Sequence, residues 1–149
     1  MISEIKQETS DINWFFVSGN KIGFVASGAG KLPGSVAYLD EKLGLLWSYF
    51  KNIPETSEVL LNLELESIKT TVITNDYLED FIFMAKRGLY TFDKTTANNF
   101  RDTNYHLVAK PANPLLADTL PVEIFTLISN TLYKVDIEGA NGIDVKTII

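Results

Sequence analysis

Hydrophobic and polar positions alternate at two periods along this chain, and the switches between them mark its elements. Residues 12–17, Ile-Asn-Trp-Phe-Phe-Val, are aromatic and β-branched and predict a strand. Ser18-Gly19-Asn20-Lys21 is a turn signal, because Gly and Asn both accept positive φ, and residues 22–27 predict the second strand of a hairpin. After a Gly/Pro loop over 28–35 the period changes to that of a helix. Leu39, Leu43, Leu46, Trp47 and Phe50 form one stripe of a helix over about 38–51. Asp40 and Glu41 near its start and Lys51 near its end suit the helix dipole, and Asn52-Ile53-Pro54 ends it.

A period of two returns at Val59, Leu61, Leu63 and Leu65, which alternate with Leu60, Asn62, Glu64 and Glu66 and predict a strand wet on one face. Residues 70–74 read as a short strand or as the approach to a helix. That helix is capped by Asn75 or Asp76, runs to about Arg87 and stops at Gly88. Its core side is Tyr77, Leu78, Phe81, Ile82 and Ala85. Phe83 points the other way, among Glu79, Asp80, Lys86 and Arg87. Residues 89–92 and 105–110 predict strands separated by a polar loop over 95–103. Pro121 opens a third helix to about Ser129, and residues 131–137 and 143–148 predict a last hairpin around Asn141-Gly142.

The resulting order is ββα, β, α, ββ, α, ββ. Helices do not alternate regularly with strands, so a doubly wound parallel sheet is disfavoured. The expected class is α+β: a single domain with an antiparallel or mixed sheet and about three helices packed mainly on one face. A length of 149 residues fits one domain over 11–149, preceded by a polar and flexible N-terminus over 1–10.

Composition narrows the chemistry more than the fold. There is no cysteine and a single histidine, His106. No zinc cage, disulfide framework or thiol chemistry can be assembled from that set, and neither a metal nor a cofactor is expected. The histidine reads as a surface or satisfied-core residue, because the sequence places no nucleophile and orienting acid beside it. The N-terminal residues are mixed in charge without a secretory h-region, and no apolar run nears the ~20 residues of a membrane span. A cytoplasmic location with no membrane partner is therefore expected. Acids outnumber bases 19 to 13, for a formal charge of -6. That balance argues against nucleic acid as a partner and suits a basic protein.

Two sets of residues remain as candidate sites. Gly28, Gly30 and Lys31 lie in a loop that could present backbone N–H groups to an anion. The segment departs from the dinucleotide template at Pro33 and from the P-loop template because Leu32 follows Lys31, so a wide structural turn is the plainer reading. Carboxylate pairs such as Glu64 and Glu66, or Asp136 and Glu138, read as solvated strand faces. Leu45 and Tyr49 fall off the apolar stripe of the first helix and Phe83 off that of the second, which makes these three the candidate protein-interface residues. The leading expectation is a small, acidic, non-catalytic protein-binding domain. A bacterial immunity protein that neutralises a co-encoded toxin is one concrete form of it. The second reading is a small-molecule- or anion-binding domain or enzyme that uses the 28–35 loop. The third is a homo-oligomer that buries Leu45, Tyr49 and Phe83 against another copy.

Overall fold

The computed structural model describes residues 1–149 and shows an α+β fold built on a mixed sheet. The first hairpin forms as the turn signal dictates. Strands β1 (Asn13–Ser18) and β2 (Lys21–Ala26) pair antiparallel, with Gly19 at φ +59° in the turn. Beyond β2 the sheet continues through β4 (Tyr90–Lys94) and β5 (Asn104–Pro111). The β2–β4 pair is parallel and β4–β5 antiparallel. Two three-residue strands share the far edge of β5: β3 (Val59–Leu61) lies along its end and β6 (Gly142–Asp144) along its start. Parallel neighbours need a long crossover, and residues 27–89 supply it between β2 and β4.

Six α-helices stand where about three are expected. The longer ones, α3 (Lys42–Asn52), α5 (Asn75–Ala85) and α6 (Val122–Ile128), correspond to the three read from the apolar stripes. The others are α1 (Glu4–Thr9), α2 (Gly34–Leu39) and α4 (Leu65–Lys69). They have only five or six residues, too few for a period to show in the sequence.

Strand alternation splits the aromatic residues of β1 between two layers. Phe15 faces the helices, 4.8 Å from Phe50 of α3 and 5.5 Å from Phe24, which in turn meets Phe81 of α5. Trp14 and Phe16 point to the opposite layer, where Phe16 contacts Phe92 of β4 and Tyr133. Both layers belong to one core of 32 buried residues. No helix is long and apolar enough to cross a membrane.

Several local expectations change, each for an identifiable reason. The first helix is broken, because Asp40 takes φ +48° between α2 and α3 and its carboxylate pairs with the N-terminal ammonium at 3.1 Å. The strand read from 59 to 66 stops at Leu61. The Asn62 side chain donates to the Leu107 carbonyl and accepts from the Glu64 N–H, so it replaces ladder bonds with a turn that leads into α4. Residues 70–74 are not a strand; they lead to Thr74, whose hydroxyl caps α5 in place of Asn75 or Asp76. The C-terminal hairpin closes only at its outer end, where Tyr133 bridges antiparallel to Ile148 and Leu132 and Ile149 exchange backbone hydrogen bonds. Existing sheet edges capture its two arms: Leu132 bridges to Val17 of β1, and β6 pairs with β5. Residues 1–10 are polar yet carry α1, anchored by buried Ile2 and by Gln7, whose amide bonds the Ile2 carbonyl and the Leu32 N–H.

Gly23 of β2 gives a direct test of this layering. A Cβ at that position would lie 2.2 Å from the ring of Phe16, which is fully buried between Trp14 and Phe92 and has no room to retreat. Gly23→Ala is expected to destabilise the protein by about 1–3 kcal/mol in denaturant melts, the range for overpacking a core.

Candidate functional site

Helix α5 positions the most distinctive surface of the molecule. Its buried side is Leu78, Phe81, Met84 and Ala85, which lie against β4 and β5. Its outer side carries Asp76, Glu79 and Asp80, all exposed and none with a cationic partner. Between these sides runs a groove of about 440 Å³, floored by Ile82 and Phe83 and rimmed by Glu55, Asp76, Glu79 and Lys86. Phe83 is half-buried rather than protruding. The Arg87 guanidinium stacks 3.6 Å above its ring centre, donates to the Phe83 and Ile53 carbonyls and pairs with Glu55 at 3.7 Å. One face of the ring is thus covered by a cation, and the rest of the side chain contributes apolar lining to the groove.

This groove lies within a strongly acidic stretch. Seven of the 19 acids and only one of the 13 bases lie between residues 53 and 85, which leaves 12 acids and 12 bases elsewhere. The whole net charge of -6 thus resides in β3, α4, α5 and their connections. The only base, Lys69 of α4, is not available to offset it outside. Its ammonium is 3.3 Å from the Asp93 carboxylate of β4, and both side chains are largely buried. Next to the acids, Leu60, Leu61 and Leu63 are exposed, Leu63 almost entirely.

Beneath α5 lies a polar cluster that sequence reasoning missed. The Tyr77 hydroxyl donates to Asp93 at 2.6 Å and lies 3.4 Å from His106 Nε2, while Thr95 Oγ1 is 3.2 Å from His106 Nδ1. Asp93 and His106 are opposite each other in the β4–β5 register. Burial, then the Asp93 charge and the hydrogen bond to it, push the Tyr77 hydroxyl well above its ordinary pKa. Burial holds the His106 imidazole down to about 4; Asp93 opposes that shift and Lys69 adds to it. None of these side chains lines the grooves at α5 or α1; through Tyr77 and Lys69 the cluster joins α5 and α4 to Asp93 of the sheet. The alternation around His106 indicated which face it shares; the helix that supplies Tyr77 could not be read from it.

The loop residues singled out earlier fall elsewhere. Gly28 (φ +53°) and Gly30 lie flat against buried Lys94: a Cβ at Gly28 would be 3.1 Å from that side chain. At Gly30 a Cβ would be 2.5 Å from the Tyr105 hydroxyl. Their lack of a side chain is accounted for by packing. Lys31 does line the largest groove of the molecule, with Leu32, Pro33, Arg101 and Lys146. Leu45 is exposed on α3, and Tyr49 packs edge-on against Phe50; neither lines the α5 groove. Compared with known protein families, curated protein sequences and solved structures, the chain finds no match in any of the three.

The His106 environment fixes a pH dependence. Unfolded, the imidazole binds a proton near its ordinary value of 6.5; folded, only near 4. Between these values the unfolded chain binds more protons, so stability is full above about pH 6.5 and falls as pH drops toward 4. The loss is expected to reach roughly 3 kcal/mol at most. His106→Gln should flatten the pH 5–6.5 part of this slope in denaturant melts.

Proposed function

We propose that this protein is a non-catalytic binding domain that docks a basic protein partner on the acidic face built by β3, α4 and α5. The observation that carries this reading is the concentration of net charge in residues 53–85, three of whose acids, Glu55, Asp76 and Glu79, line a groove together with Ile82 and Phe83. Six of the seven acids there, Glu58, Glu64, Glu66, Asp76, Glu79 and Asp80, have no cationic partner. Unpaired carboxylates around apolar surface attract a complementary cationic patch at long range and leave an apolar centre to be desolvated on contact. A groove over Ile82 and Phe83 suits an Arg or Lys side chain, whose stem lies along these apolar groups while its charge meets Asp76 or Glu79. Nucleic acid is repelled by the same charge. A symmetric dimer through this face would set acid against acid, which disfavours self-association there. A neutralising protein of immunity type, working in the cytoplasm against a basic toxin surface, is the concrete form this reading favours.

Charge reversal tests it. Glu79→Lys with Asp80→Lys is expected to weaken capture of a basic partner from the native host by about tenfold or more, while Asp118→Lys with Glu123→Lys leaves it unchanged. Capture should also weaken as salt rises. Phe83→Ala should weaken capture too, at a stability cost below the roughly 3–5 kcal/mol of a fully buried Phe. Capture that is indifferent to salt and to the reversed pair would contradict the proposal.

A further inference from the structure

The largest groove, about 620 Å³, lies away from the acidic face, and its walls are tied to one another from inside. Four segments line it: α1, residues 31–34, residues 100–103 and the C-terminal residues 145–148. Lys94 ties the loop that leads into residues 31–34 to residues 100–103. Its side chain is 2% exposed, supports Gly28 and Gly30 on one side, and donates from Nζ to the Asp102 carbonyl on the other. The third wall is bonded to the second. The Val145 N–H donates to the Thr103 carbonyl at 2.9 Å, and the Thr103 hydroxyl donates to Asp144 at 2.6 Å. The fourth is held by Gln7, which accepts the Leu32 N–H at 2.9 Å. A groove braced in this way is largely formed before any ligand arrives, as binding sites of this size usually are.

Its charges are unevenly satisfied. Lys31 is paired with Glu4 at 3.8 Å. Arg101 and Lys146, both exposed, have no carboxylate partner, and they come from the two segments that the Val145–Thr103 bond holds together. Glu8 of α1 is the groove's other unpaired charge. Leu32, Pro33, Phe100 and Val145 supply apolar lining between them. Two free cations from adjoining segments thus offer positive charge to an anion in this groove, and Glu8 adds one unpaired carboxylate to the same lining.

We infer that this groove binds a small organic anion, a single carboxylate or phosphate head held by Arg101 and Lys146 with an apolar body lying on Leu32, Pro33 and Phe100. The inference is independent of the protein-docking reading and uses none of its residues.

Calorimetric or ligand-observed NMR titration of the full chain tests it, with phenylacetate and phenyl phosphate as the two head groups. At least one should bind saturably, and more tightly than inorganic phosphate, which lacks the apolar body. Which one binds tighter identifies the head. Arg101→Ala with Lys146→Ala should weaken that binding by about tenfold or more, and Glu8→Gln should leave it intact or tighten it. All three positions are exposed, so the melting temperature should stay unchanged and report that the variants fold. Three results would overturn the inference: no saturable binding of either aromatic anion, equal affinity in the double variant, or tighter binding of benzylamine, which would make the groove a cation site of Glu4 and Glu8. Capture of a basic protein by the acidic face should be the same in wild type and the double variant, so either reading can fail alone.

Discussion

A carboxylate placed in a sheet beneath a helix must be satisfied, and the way Asp93 is satisfied shapes much of this molecule. An unpaired charge at that depth would be expelled or neutralised. Asp93 instead receives the Tyr77 hydroxyl from α5 and the Lys69 ammonium from α4. A short helix with little periodic signal, α4, and the longer α5 are thereby both oriented on β4. An ion pair of this kind adds little net stability, because desolvation offsets its attraction; its contribution is direction. His106, opposite Asp93 in the register, completes the arrangement as a neutral ring.

The same contact has an electrostatic consequence outside. Lys69 is the only base in residues 53–85, and Asp93 draws it inward, so the acids of that stretch face solvent without an internal counter-charge. Arg87 is also committed, stacked on Phe83 and bonded to two carbonyls. The acidic face is therefore a product of folding as much as of composition. The remainder of the chain is balanced in charge, and there a second buried lysine, Lys94, does structural work of a different kind by bracing the loops around it.

The parts of the fold that could be read from the sequence are those with a local cause. The β1–β2 hairpin follows from its turn residues and the stop at Gly88 from a position at φ +95°. The α+β class follows from element order. What could not be read depends on side chains reaching across the chain. Asn62 ends β3 by bonding Leu107, 45 residues away, and no alternation pattern encodes that. The arms of the C-terminal hairpin pair with strands that only tertiary structure brings near. In the acidic site, Phe83 was visible as an off-face aromatic, whereas the Arg87 guanidinium stacked on its ring was not. The confinement of charge to residues 53–85 needed only a local count in place of a whole-chain one, and its exposure needed the structure. The glycines at 28 and 30 resembled a ligand loop for a reason unrelated to ligands: both make room for Lys94 and Tyr105.

The central claim is that partner recognition lies on the acidic face of β3, α4 and α5. Backbone amide NMR of the protein, titrated with its captured partner, tests it most directly. The account predicts shifts that concentrate in residues 55–86, with the amides of 28–34 and 100–103 unmoved. Shifts confined to 28–34, 100–103 and 145–148, with 55–86 as in the free protein, would contradict it.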